Sequence, residues 1–147
     1  MPNWCEGTLK VRGKNSDLIR FLIGACCFTM SKEKHTVLFD INVEDFQHIK
    51  GTKRGFVTPG QLFYCSFEGD DDIDQIINFR YAQAWDILAG DLKKLSAAYN
   101  IDFKIFACES GCQFSRDIEV IQGRILKNEV IKYEDYFWEC PNPDYGG

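Results

Sequence analysis

Apolar and polar positions along this chain switch between a two-residue and a helical period, and the switches mark its elements. Leu9 and Val11 alternate with Thr8, Lys10 and Arg12, which predicts a half-buried strand over Thr8–Arg12 that ends at Gly13. Asn15 or Ser16 then caps a helix beginning near Asp17, whose carboxylate suits a helix N-terminus. Leu18, Phe21, Leu22 and Ala25 fall at helical spacing, so this helix should lie on a sheet and end near Cys26-Cys27. Thr36–Asn42 reads as a strand of apolar and β-branched residues. Val43–Ile49 is expected to form a helical turn, and Lys50–Gly60, punctuated by glycines and Pro59, a loop. Gln61–Glu68 is an aromatic-rich strand and Gly69–Asp72 an acidic turn. In Gln75–Gln83 the alternation puts Ile77, Phe79 and Tyr81 on one face, Asn78 and Arg80 on the other.

The clearest helical pattern runs from Trp85 to Tyr99, with Leu88, Leu92, Leu95 and Tyr99 on one stripe. Lys93 and Lys94 lie towards its C-terminal end, and Asn100 suits a C-cap. Ile101–Cys108 alternates as a strand with Ile101, Phe103 and Ile105 inward. Gly111 marks a turn, and Phe114–Gln122 with Arg124–Tyr133 form a hairpin about Gly123. Short strands, tight joins and two helices give an α+β class: a ferredoxin-like, mainly antiparallel sheet with two helices on one face plus additional strands. Without a repeat or linker, residues 1–140 read as one domain and residues 141–147 as a flexible C-terminal tail.

Composition narrows the choice. At 147 residues the chain is long enough for one real core. Aromatics reach 14%, chiefly 12 Phe and 6 Tyr, so a modest core buries much area and some rings remain for a binding face. A net charge of −5 and a pI near 5.0 argue against non-specific nucleic-acid binding, while allowing a local basic pocket or an acidic surface for a basic partner. No stretch is apolar over the roughly 18–20 residues of a membrane span. Seven cysteines, an odd number, without a secretory signal favour reduced thiols and a cytoplasmic location.

Met1-Pro2-Asn3-Trp4-Cys5, running into Thr8–Gly13, places an aromatic anchor directly before the first strand. Ala84-Trp85, the segment Glu109–Arg116, Ile118-Glu119-Val120 and Gly123 add a second, distributed pattern. Together these resemble the YubB-type ferredoxin-like proteins of phages and plasmids. The resemblance covers the N-terminus and the last half of the chain; His35–Asp74 departs from it. It implies a fold and a mobile-element origin. It carries no shared chemistry, so no catalytic residue and no cofactor are transferred. Small proteins of such elements often blunt host defences. The expectation is therefore a non-enzymatic binding protein that sequesters a nucleotide-type signal.

The residues offer candidates for that role. Lys50-Gly51-Thr52-Lys53-Arg54-Gly55 joins cations to glycines that let a backbone approach phosphate, or is a solvated turn; it lacks the spacing of a nucleoside-triphosphate loop. Lys10, Arg12 and Arg80 lie on polar strand faces, and Arg116 is expected to share their side of the sheet. Phe63, Tyr64, Phe67 and Phe106 could supply stacking platforms there, as in RNA-binding sheets, although no RNP consensus is present. The alternative for these cations is the ordinary solvated face of a half-buried sheet. Cys108 and Cys112, or Cys26-Cys27 with His35, have loosely tolerable metal spacing but read better as buried thiols. His35 and His48 sit in no catalytic motif, and Asp70, Asp71, Asp72 and Asp74 miss the calcium-loop pattern. Trp4, Trp85 and Trp138 read as core or cover, and Trp4 or Trp85 could line a pocket. The expected ligand set is Lys50, Lys53, Arg54, Arg80, Trp85 and Arg116, in a homodimer that closes the pocket. The rivals are a protein–protein inhibitor of a host defence protein, using residues 70–74 and Glu134-Asp135 or a sheet edge, and an RNA-binding module.

Overall fold

Two antiparallel sheets share one core. The computed structural model describes residues 1–33, 36–70 and 72–147. The chain opens with β1 (Trp4–Lys14), α1 (Asn15–Gly24), β2 (Ser31–Glu33) and β3 (Thr36–Val43). It continues through β4 (Gln47–His48), β5 (Gly55–Val57), β6 (Gln61–Glu68) and β7 (Asp74–Ala84). It closes with α2 (Ala89–Tyr99), β8 (Asp102–Glu109), β9 (Phe114–Ile121), β10 (Arg124–Lys132) and α3 (Tyr136–Glu139). The large sheet has seven strands in the order β10-β9-β8-β1-β7-β5-β4. The small one has three, in the order β2-β3-β6. The class is α+β and mainly antiparallel, as expected, with more strands.

One face of the large sheet is fully covered. Leu9, Val11, Ile77, Phe79, Tyr81, Phe103, Ile105, Ile118 and Val120 point into it. Leu18, Phe21 and Leu22 of α1 and Leu92 and Leu95 of α2 meet them there. So do Phe39, Phe63, Cys65 and Phe67 of the small sheet. Phe21 is the hinge of this packing, edge-on to both Phe103 and Tyr99 at 5.6 and 5.7 Å. The strands β1 and β8 approach closely at Gly7, where an added Cβ would lie 2.1 Å from the Phe106 carbonyl oxygen.

Several boundaries differ from the sequence reading. β1 extends from Trp4 to Lys14, because Gly13 still pairs with Gln75 instead of ending the strand. Residues 43–49 form no helical turn; Gln47 and His48 pair with Val57 and Phe56. The strands at 36–43 and 61–68 leave the main sheet and pair with each other. α2 begins at Ala89, not Trp85. Trp85 has a left-handed φ of 71°, and the Leu88 N–H is taken by the Gln83 side chain at 3.1 Å, so the chain turns before the helix starts. Leu88 is consequently exposed, while Leu92 and Leu95 are buried. Asn100 caps the helix in the left-handed conformation, as its type predicts. Two helices cover one face, and the third, short one lies on the other. Among the described residues no helix is long and apolar enough to cross a membrane.

Candidate functional site

The second face of the large sheet carries most of the polar residues of β1, β7 and β8. Strand register stacks its residues into rows. Arg80, Thr8 and Phe106 form one row; Asn78, Lys10, Lys104 and Glu119 the next; Ile76, Arg12 and Asp102 the third. Charges in the outer positions are paired. Arg12 donates to Asp102 through Nε at 3.0 Å and Nη2 at 2.8 Å. Lys127 reaches Asp117 at 3.1 Å, and Arg80 pairs with Glu6. Lys10 and Lys104 differ. They face each other across β1 and β8, and among the described residues neither side chain has an ion-pair or hydrogen-bond partner. Like charges directly opposite in a sheet repel.

These lysines edge a groove of about 340 Å³, completed by Thr8, Phe106, Asn142 and Tyr145. The C-terminal segment makes its wall. Tyr136 and Cys140 pack on Cys108, with Phe106, Tyr133 and Tyr145 around them. The Tyr145 ring lies 4.9 Å from the Arg80 guanidinium carbon. Residues 141–147, expected to be flexible, are tied to the sheet by backbone contacts. The Gly147 N–H donates to the Trp4 carbonyl at 2.9 Å, and the Ser110 hydroxyl to the Gly146 carbonyl at 3.1 Å. Gly146 has φ +74°, and a Cβ there would sit 2.1 Å from the Trp4 carbonyl oxygen and 2.5 Å from that of Cys108.

Beyond this wall lies a second recess of about 240 Å³, lined by Trp4, Glu6, Phe46, Thr58, Pro59 and Arg80 among others. Trp4 and Phe46 stack at 4.9 Å, with Phe56 edge-on to both. The Thr58 hydroxyl is buried, with no hydrogen-bond partner among the described residues.

The six residues expected to hold ligand are not one site. Lys53, Arg54 and Trp85 cluster at one end of β7, where the Ala84 N–H donates to the Arg54 carbonyl and the Gln83 amide to that of Lys53. Four of the six amides of the Lys50–Gly55 loop are already committed. Lys50 N–H bonds the Ala25 carbonyl, Thr52 N–H the Ile49 carbonyl, and Gly55 N–H the Thr52 hydroxyl. The Lys53 N–H donates to the Asp91 carboxylate at 2.8 Å, and Gln83 donates to the same oxygen at 2.8 Å. A carboxylate of the chain thus occupies the position in which a phosphate was expected. Lys50, Lys53 and Arg54 point their charges at solvent, and Trp85 is exposed.

Arg80 lies on the face opposite α1 and α2, and Arg116 does not share it. Arg116 is opposite Ala107 and has the parity of buried Ile118 and Val120, which places it on the helix side. There it is 7% exposed, paired to Asp86 at 2.9 Å and bonded to Asn128. Burial raises the Asp86 carboxyl above the usual range, against the lowering effect of Arg116 and the Ile87 amide. Of the expected stacking rings, Phe63 and Phe67 are buried in the core and Tyr64 lies on the outside of the small sheet. Phe106 alone reaches the groove.

The remaining candidates are equally dispersed. Among the described residues no group of three metal-ligating side chains converges. Cys26 and Cys108 are buried while Cys27 and Cys112 are exposed, and His35 lies outside the described residues. Asp70 accepts from the Asp72 N–H and Asp72 pairs with Lys14, so the acidic turn is partly neutralised; Asp71 also lies outside the described residues. The site residues that sequence reasoning missed are Lys104, Asn142 and Tyr145. Lys104 was within reach, because the inward parity of Phe103 and Ile105 puts Lys104 and Phe106 on the other face. Asn142 and Tyr145 belong to a segment without periodicity and gave no such signal.

No protein-family model, curated protein or solved structure matches the chain.

Proposed function

We propose that the chain is a non-enzymatic binding protein that holds a small nucleotide-type anion on the face of its large sheet opposite α1 and α2. The observation carrying this reading is the Lys10–Lys104 opposition in a groove that also presents Phe106 and Tyr145. The two lysines sit opposite each other, and Glu119, across from Lys104 on β9, forms no ion pair with either among the described residues, so their repulsion costs stability in the free protein. A phosphate between them turns that repulsion into two charge-assisted contacts. Aromatic walls beside a cationic floor suit a planar base, since every base has a face that stacks. A groove of about 340 Å³ falls within the size range of small-molecule sites.

The segment β8-β1-β7-β5, with α1 after β1 and α2 between β7 and β8, is consistent with a ferredoxin-like core to which the other strands are added. On that reading, the resemblance to phage and plasmid proteins points to a role in removing a nucleotide signal from a host defence pathway. The groove is open on one side, and a second copy of the chain across it would enclose the ligand.

Thermal shift with linear and cyclic nucleotides, and with inorganic phosphate, tests the reading. At a hundredfold excess over Kd a native-state ligand adds about 2.7 kcal/mol, which raises Tm by roughly 5–10 °C in a domain of this size. Lys104→Gln should abolish that shift while leaving the free protein equally or slightly more stable, because the repulsion is relieved. A full shift retained in Lys104→Gln and Lys10→Gln, or no nucleotide that moves Tm at millimolar concentration, refutes it.

A further inference from the structure

The polar cluster beneath the C-terminal segment has a chemistry of its own. Cys108 of β8 and Cys140, which follows α3, bring their sulfurs to 3.4 Å across 32 residues of sequence. Both are nearly sealed, at 1% and 5% exposure. Ser115 stands beside them, its hydroxyl 3.4 Å from the Cys108 sulfur and 3.6 Å from that of Cys140. Tyr133 donates to that hydroxyl at 3.0 Å. Among the described residues no other two sulfurs lie within hydrogen-bonding distance, and none of the seven cysteines is in a disulfide. From 3.4 Å, about 1.4 Å of approach reaches the disulfide bond length of about 2.05 Å.

The two thiols are not equivalent. Burial works to raise Cys140, but hydrogen bonding with Ser115, the Asn142 backbone and Cys108 outweighs it and holds its pKa below the ordinary thiol value. Burial pushes Cys108 up to about 11. Cys140 is also the less covered of the two sulfurs, so it is the one that a small oxidant meets first.

We propose that Cys108 and Cys140 form a redox modification site, in which hydrogen peroxide converts the pair to a disulfide that fastens the C-terminal segment to the sheet. The Cys140 thiolate attacks one peroxide oxygen, the O–O bond breaks, and the departing hydroxide takes a proton to leave as water. Cys140 is then a sulfenic acid. The Cys108 sulfur attacks the Cys140 sulfur, the S–O bond breaks, and the Cys108 proton leaves with the hydroxyl as a second water. Two thiols lose two electrons and the peroxide gains them. A peroxide suits the site because a bulkier disulfide oxidant cannot reach sulfurs so nearly covered. The bond would fix the base of the segment that supplies Asn142 and Tyr145 to the groove wall. The modification itself does not depend on the nucleotide reading.

The test uses a Cys27→Ser/Cys112→Ser protein, which removes the exposed thiols and leaves five buried ones. After peroxide and quenching, three thiols should titrate in denaturant, peptide mapping should join Cys108 to Cys140, and Tm should rise on the order of 5–10 °C. With Cys108→Ser added, a sulfenic-acid trap such as dimedone should label Cys140; with Cys140→Ser added, no such label should form. The inference fails if all five thiols survive a peroxide dose that consumes free cysteine. It also fails if the mapped bridge joins another pair, or if oxidation stops at sulfonic acid. The mapping decides the matter even if a serine variant does not fold.

Discussion

Replacing Arg116 with Met separates a structural arginine from a ligand-binding one. The substitution keeps an unbranched stem in the space that Arg116 fills and removes only the charge and its donors. Arg116 Nη1 lies 2.9 Å from Asp86, whose side chain is 36% exposed. A contact of this kind is worth about 4 kcal/mol at the effective dielectric of a protein surface. Water around the exposed part of Asp86 screens roughly half of that, which leaves about 2 kcal/mol at pH 7. For a typical urea m-value of about 2 kcal/mol/M, the midpoint should fall by about 1 M.

The pH dependence makes this specific. The folded Asp86 carboxyl already sits above its ordinary value, because burial outweighs the help of Arg116. Its contribution to wild-type stability is thus fully present below the unfolded aspartate value of about 4 and is lost as pH rises through the folded value. Without Arg116 the folded value climbs further, so the variant loses more stability than wild type over the same rise. As pH falls, Asp86 takes up its proton in both proteins, so the difference should be smaller at pH 4 than at pH 7. Urea titrations at pH 4 and pH 7 measure it directly, without the screening that guanidinium would add. Equal midpoint shifts at the two pH values, or a shift under about 0.2 M at pH 7, would refute the ion-pair account. Any nucleotide-induced rise in Tm should persist in Arg116→Met, since that side chain lies on the other side of the sheet.

Three further outcomes follow from geometry. Gly146→Ala places a Cβ 2.1 Å from the Trp4 carbonyl oxygen, so residues 141–147 should detach, with faster amide exchange at Gly147 and easier proteolysis after residue 140. Gln122→Asn should stabilise the protein by a few tenths of a kcal/mol in thermal or urea melts, because Gln122 and Gly123 both have positive φ, at 49° and 71°, and this turn favours Asn-Gly. Asp91→Ala orphans the Lys53 N–H and leaves the Gln83 amide with only its bond to the Lys53 carbonyl; a loss of about 1–3 kcal/mol is expected, with exchange at Lys53 accelerated before that of the sheet.

Local patterns made much of the fold legible. The Leu18, Phe21 and Leu22 stripe, the Leu92 and Leu95 stripe, the Asn100 cap and the Gly123 hairpin all depend on residues close in sequence, and each is readable there. The failures are tertiary. Nothing in Thr36–Asn42 or Gln61–Glu68 says that these strands pair with each other and lie across the core as a separate sheet. The stretch from Trp85 to Leu88 has a helical pattern, yet the Gln83 side chain and the Asn3 carbonyl take its amides. The side on which Arg116 falls is a matter of parity, and buried Ile118 and Val120 carry the clue to it. The cationic loop misleads because the carboxylate that satisfies it comes from 38 residues away.

That distant carboxylate changes what the loop can capture from solution. Asp91 is a covalently tethered competitor for the Lys53 amide, present at an effective concentration that a free phosphate would have to exceed to displace it. The stretch of chain with the densest positive charge is therefore guarded against stray anions, and on the proposed reading a dissolved ligand goes instead to the facing lysines of the sheet.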